Sequence, residues 1–111
     1  MVRYIKEAQV RQILTMHEAL QLMEQLFHDR AQGKAFDIPR RRLRQPGGAL
    51  SILQGAAPRL NTIGYKVTYA RPTAHNGFVH LYDQERGNLV AIIECEWMGI
   101  MRTGASRAVA Y

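Results

Sequence analysis

The sequence holds a single cysteine, Cys95, in 111 residues. An internal disulfide is therefore excluded, and nothing points to an oxidising compartment. Cys95 follows the apolar run Val90-Ala-Ile-Ile93, which predicts a buried small residue rather than a nucleophile. Long hydrophobic runs are missing too, so no transmembrane helix is expected. The opening Met1-Val-Arg-Tyr-Ile-Lys-Glu7 lacks the apolar stretch of a signal peptide. A soluble, cytoplasmic protein without a membrane partner is the expectation. There is no G-x-G-x-x-G, no P-loop and no Gly-x-Ser-x-Gly. His17, His28, His75 and His80 are scattered, and none has metal-ligand spacing with a cysteine or carboxylate motif. No metal is expected, and Ser51 and Ser106 have no local partner that would make either a nucleophile.

Acidic residues are in short supply. Nine Asp and Glu stand against 15 Lys and Arg, for a formal net charge of +6. Such an excess invites a nucleic-acid reading, because Lys and Arg neutralise phosphates. The location of the charges has to decide it.

What is present reads as helices, then strands, then a helix. Val10, Ile13 and Leu14 form a short apolar stripe. Thr15-Met-His-Glu18 matches a capping box, a hydroxyl at the N-cap and a carboxylate three residues on. Ala19, Leu20, Met23, Leu26 and Phe27 follow at helical spacing, with Gly33 as C-cap. The spacing predicts a helix over 16–32. Strands are predicted over 39–45, 49–54, 62–69, 78–83 and 88–94. Pro46-Gly47-Gly48 and Gln84-Glu-Arg-Gly87 supply turns, and 55–61 and 71–77 read as loops. Trp97, Ile100, Met101, Ala105, Ala108 and Val109 make the stripe of a last helix, with Gly104 on it to allow close packing. Short connections favour antiparallel pairing. The fold class is α+β: an antiparallel sheet of about five to six strands with N-terminal helices and a C-terminal helix, in one domain over 1–111.

Cations are the candidates for chemistry. In Arg40-Arg-Arg-Leu-Arg44, strand alternation puts Arg40, Arg42 and Arg44 on one face and Arg41 with Leu43 on the other. Solvated arginines blunting an edge strand are one reading. A nucleic-acid patch is another, although the aromatic platform of single-strand binders is missing. The third is that Arg41, on the leucine side, faces a cleft and binds an anion. Lys66 alternates with Gly64 and Thr68, opposite Ile63, Tyr65, Val67 and Tyr69. A solvent-facing lysine is its plain reading, but the nearby glycine permits a close approach to the backbone. Arg102 lies off the last apolar stripe, beside Thr103 and Ser106. Three cations on separate elements would suit a carboxylate, since arginine grips it bidentately and lysine adds a point charge.

Several segments, in order, resemble the ornithine cyclodeaminase/mu-crystallin family. Val2-Arg-Tyr-Ile5 and Leu14-Thr-Met-His-Glu-Ala19 look like its opening strand and helix. Pro39-Arg-Arg-Arg-Leu-Arg44 resembles its Pro-x-Arg segment, and Ile63-Gly-Tyr-Lys-Val67 its Gly-x-Lys segment. Leu81 to Ala91 is similar to its hairpin, and Met101-Arg-Thr-Gly-Ala-Ser106 to its Leu-Arg-Thr-Ala-Ala-Ser helix. The resemblance implies that Arg41, Lys66 and Arg102 surround a substrate carboxylate, with Arg40 or Arg42 able to replace Arg41 after a one-residue shift. Thr103 and His75 are accessory candidates. It implies a homodimer formed through the sheet. It also implies an NAD(P) cofactor bound by a dinucleotide-binding domain that these residues do not include, so no cofactor is expected on this chain.

The leading expectation is a stand-alone, truncated homologue of the family's substrate-binding and dimerisation domain. It would be a homodimer with a vestigial or repurposed carboxylate pocket, and not catalytic alone. The alternatives are a subunit completing a split NAD(P)-dependent cyclodeaminase or dehydrogenase with a separate chain, and a basic nucleic-acid-binding module.

Overall fold

The computed structural model describes the backbone of residues 1–110 and the side chains of residues 1–108. A short strand β1 (Arg3–Ile5) leads into helices α1 (Glu7–Ile13) and α2 (Met16–Ala31). Strands β2 (Phe36–Gln45), β3 (Gly48–Ala57), β4 (Thr62–Arg71), β5 (Ala74–Asp83) and β6 (Leu89–Glu94) follow, with a 3-10 turn at Pro58–Leu60. Helix α3 (Glu96–Ala110) comes last.

The start of α2 carries the N-cap half of the capping box its sequence predicts. The Glu18 amide donates to Thr15 Oγ1 at 3.2 Å, and the Thr15 hydroxyl donates to Glu18 Oε1 at 3.0 Å. Gly33, at φ +73°, follows the C-cap Gln32 in the left-handed conformation that ends helices.

The six strands form one sheet in the order β1-β6-β5-β4-β3-β2. Neighbours from β2 to β6 are antiparallel, as short connections require. β1 runs parallel to β6, so the sheet is mixed rather than wholly antiparallel. No hairpin constrains β1, because two helices separate it from β2. Two expected loops are strand instead. Residues 55–57 complete β3, and β5 starts at Ala74, joined to β4 across Pro72-Thr73. His75 pairs with Ala70 and Asn76 with Tyr69. Their side chains carry little strand preference, but ladder hydrogen bonds to β4 satisfy this backbone.

Helices cover one face of the sheet. Ala19 and Met23 of α2 pack with Met101 and Ala105 of α3, flanked by Leu14, Leu20, Leu26, Phe27 and Trp97. A Cβ on Gly104 would lie 3.2 Å from Met16 Cε, so this glycine permits the close crossing of α2 and α3. Ile100 and Ala108, expected on the same apolar stripe, are exposed. The Val109 side chain lies outside the described residues. The N-terminus of α3 is held by Glu7 of α1, whose carboxylate accepts from the Glu96 and Trp97 amides at 2.7 and 3.0 Å. Arg11 stacks over Trp97, 4.7 Å from the ring centroid. Asp29 of α2 is buried and accepts from Arg59 Nε at 2.7 Å and Gln25 Nε2 at 3.0 Å, tying the helix to the 3-10 turn.

The other face is bare. Tyr4, Phe36, Ile38, Leu43, Ile52 and Ile63 are all exposed, and the register puts them on this one side. Tyr65 and His80 stack at its centre, with ring centroids 4.7 Å apart.

Candidate functional site

The strand register decides which cations can meet. Lys66 pairs with Leu53 on β3 and Val79 on β5. Arg41 pairs with Ile52, which pairs with Val67. Arg41 therefore belongs to the Val67 face, the bare one, and Lys66 to the helix-covered face. An extra residue in β2 between Ile38 and Arg41 forms a bulge opposite Leu53. Pro39, which has no amide hydrogen to donate, sits in it. The bulge places Arg40 and Arg42 around a cavity with Lys66, so the neighbours of Arg41 join the lysine and Arg41 does not.

Lys66 is the hub of the helix-covered face. Its strand holds it half-buried beneath α3, and a Cβ on Gly99 would lie 3.4 Å from its Nζ. Arg102 lies three residues beyond Gly99, on the same flank of the helix. Three cavities open around the lysine. The first, about 360 Å³, lies between α2, α3 and the sheet and is lined by both Lys66 and Arg102. The second, about 330 Å³, adds Arg40, Arg42, Ser51, Thr68 and His75. The third runs under α3 and brings in Cys95, Glu96, Thr103, Arg107 and again His75. Of the five residues singled out from the sequence, Lys66 and Arg102 share the first cavity, and Lys66, His75 and Thr103 share the third.

The charges in this region are strongly one-sided. The ion pairs formed among the described residues are Arg30 with Asp37 and Arg59 with Asp29. Lys66, Arg102, Arg40 and Arg42 have no carboxylate within ion-pair distance there, so their positive field is available to an anion. Cys95 is 2% exposed, and burial pushes its thiol above its ordinary value, while Lys66 pulls the other way. That leaves a protonated, inert thiol.

Sequence reasoning missed the apolar half of the first cavity. Leu26 and Phe27 of α2 face Leu53, Val79 and Leu81 of the sheet across it. Its floor is the pair Gly55 and Gly64, directly opposite each other on β3 and β4. Gly64 does allow a close approach, but to its own sheet: a Cβ there would collide with the His80 carbonyl oxygen. The glycines were visible in the sequence. Only the register brings them together.

Solved structures share this architecture. A probable ornithine cyclodeaminase from Bordetella pertussis Tohama I superposes with a TM-score of 0.93 at 23% identity, over 99% of this chain and 35% of that one. The chain folds as part of an ornithine cyclodeaminase does. Thermococcus litoralis Δ1-pyrroline-2-carboxylate reductase, solved with NADH and L-proline, matches at 0.91 and 21% identity over 99% of this chain and 36% of that one. An archaeal alanine dehydrogenase dimer with bound NAD matches at 0.88 and 22% identity, over 95% and 34%. At such identities the likeness is one of fold. The chain spans about a third of the length of each cyclodeaminase-like structure, 34–36%. No protein-family model matches the sequence, and no curated protein matches it.

Those relatives raise the question whether the described residues fit a nicotinamide dinucleotide. A pyrophosphate site needs free amides at a helix N-terminus. Glu7 already takes the first amides of α3, and Thr15 caps α2. The α3 terminus, closed by the Glu7 carboxylate, therefore does not fit the pyrophosphate of that cofactor.

Proposed function

We propose that this cyclodeaminase-like domain holds the carboxylate of a small amino or 2-oxo acid between Lys66 and Arg102. The observation that carries the reading is the cavity both side chains line, one from β4 and one from α3, with no protein carboxylate paired to either among the described residues. Arginine supplies two parallel donors and lysine a compact charge, which together fix a carboxylate in place and orientation. Both groups reach solvent, so the hold is weak. His75 and Thr103 line the adjoining space and extend the polar rim.

These residues bind and orient; they do not transfer hydride. That chemistry belongs to a nicotinamide cofactor. Relatives solved with NAD or NADH support a second part of the proposal: this domain works beside a dinucleotide-binding domain, in the same or a separate chain, as the substrate-binding part of an amino-acid or imino-acid oxidoreductase or cyclodeaminase.

The domain is further proposed to pair with a second copy through its bare sheet face. An apolar face carrying Phe36, Ile38, Ile52 and Ile63 needs a cover, and the archaeal relative is a dimer.

The test is a calorimetric titration of the chain with short 2-amino and 2-oxo acids. Binding is expected in the millimolar range, about −4 kcal/mol, and lost in Lys66→Ala and Arg102→Ala. Absence of binding, or binding untouched by both substitutions, refutes the site.

A further inference from the structure

We infer that the cavity between α2 and the sheet selects acids with an uncharged apolar side chain, of leucine to phenylalanine size. This rests on the carboxylate reading above and adds the substrate class.

Lys66 and Arg102 take one end of the ligand. The body of the cavity is hydrocarbon from Leu26, Phe27, Leu53, Val79 and Leu81. Its other charged residues, Arg30 and Asp37, are bound to each other at 3.1 Å. No unpaired carboxylate waits there for the distal ammonium of a diamino acid. The second carboxylate of a diacid would also be left in hydrocarbon. Either charge loses water without gaining a partner, which is costly. An isobutyl or benzyl group loses nothing.

The space is built into the sheet. Gly55 faces Gly64, so neither strand fills the floor with a side chain. The volume, about 360 Å³, is at the small end of the roughly 300–1,000 Å³ of small-molecule sites. Gly55 is also the position from which the cavity can be closed. A Cβ there meets only the Phe36 carbonyl oxygen at 3.6 Å, an ordinary contact, and φ is not in the left-handed region. A longer side chain at Gly55 is accepted by the backbone and enters the cavity.

The experiment titrates the unaltered chain with pyruvate, 4-methyl-2-oxopentanoate, phenylpyruvate, 2-oxoglutarate and L-ornithine, followed by amide chemical shifts. Affinity is expected to rise roughly four-fold for each methylene-sized group buried, so that 4-methyl-2-oxopentanoate and phenylpyruvate bind tightest. Gly55→Leu should erase that gain, so that 4-methyl-2-oxopentanoate and phenylpyruvate bind no tighter than pyruvate. The chain-length series decides the matter by itself if the variant does not fold. Tightest binding of 2-oxoglutarate or ornithine overturns the inference. So does equal binding of all five acids, although loss of that binding in Lys66→Ala would leave the carboxylate site standing. If none of the acids binds, both fall.

Discussion

Arg41 and Lys66 leave the sheet from opposite faces. Arg41 stands in the row of Ile52 and Val67, and Lys66 in the row of Leu53 and Val79. The proposed carboxylate site therefore takes its cations from β4 and α3, while Arg41 borders the proposed pairing surface.

That surface gives the first prediction. Sedimentation at micromolar concentration should show a dimer. Ile63→Lys puts a charge on the bare apolar face and should shift the population to monomer by ten-fold or more in dissociation constant, about 1.4 kcal/mol. Ile100→Lys, at an exposed site on α3, is the control and should leave the dimer intact. A unaltered chain that sediments as a monomer disproves the pairing.

The Gly55–Gly64 floor separates two substitutions that look alike in sequence. Gly64→Ala drives a methyl into the His80 carbonyl, an overpacking cost of about 1–3 kcal/mol. Gly55→Ala has room and should be close to neutral. Thermal melts are expected to show a drop of several degrees for the first alone, at about 4–8 °C per kcal/mol.

Glu7 acts on α3 from 89 positions away in sequence, through the Glu96 amide. Glu7→Ala leaves the first amides of the helix without their acceptor. A loss of about 0.5–2 kcal/mol is expected, the range for removing a helix cap, read as a lower urea midpoint.

Acid should destabilise the fold through named carboxylates. The Arg59 guanidinium, followed by the Gln25 amide, holds Asp29 below its ordinary range. The Arg86 amide and the Asn61 side chain do the same for Asp83, and the Tyr4 hydroxyl and the Glu7 amide for Glu94. A depressed folded-state value means that the unfolded chain takes up protons first. The stabilisation is present above the unfolded values, about 3.9–4.3, and is lost as pH falls through the lower folded ones. Urea midpoints should be flat from pH 7 to 5 and fall steeply below about pH 4. Asp29→Asn should make the fall shallower.

Cys95 should resist a thiol reagent in the folded protein and react fully in urea. Native-state labelling as fast as that of a free thiol would contradict its burial.

Local rules were legible in the sequence. Thr15 and Glu18 fixed the start of α2 and Gly33 its end, because capping needs only residues within one turn. Alternation in Ile63 to Tyr69 placed Lys66 and Tyr65 on opposite faces, because strand period is set by the backbone. Alternation likewise set Arg41 with Leu43, against Arg42. Which of those faces would meet Lys66 depends on how β2 registers on β3, with a bulge that repeats no local pattern. The parallel seat of β1 beside β6, the Glu7 cap on α3 and the Gly55–Gly64 floor likewise depend on contacts between distant segments. The sequence by itself determined most of the elements and which side chains of a strand share a face. Only the tertiary structure decided which faces meet, because register and helix docking are settled by the packing of the whole sheet.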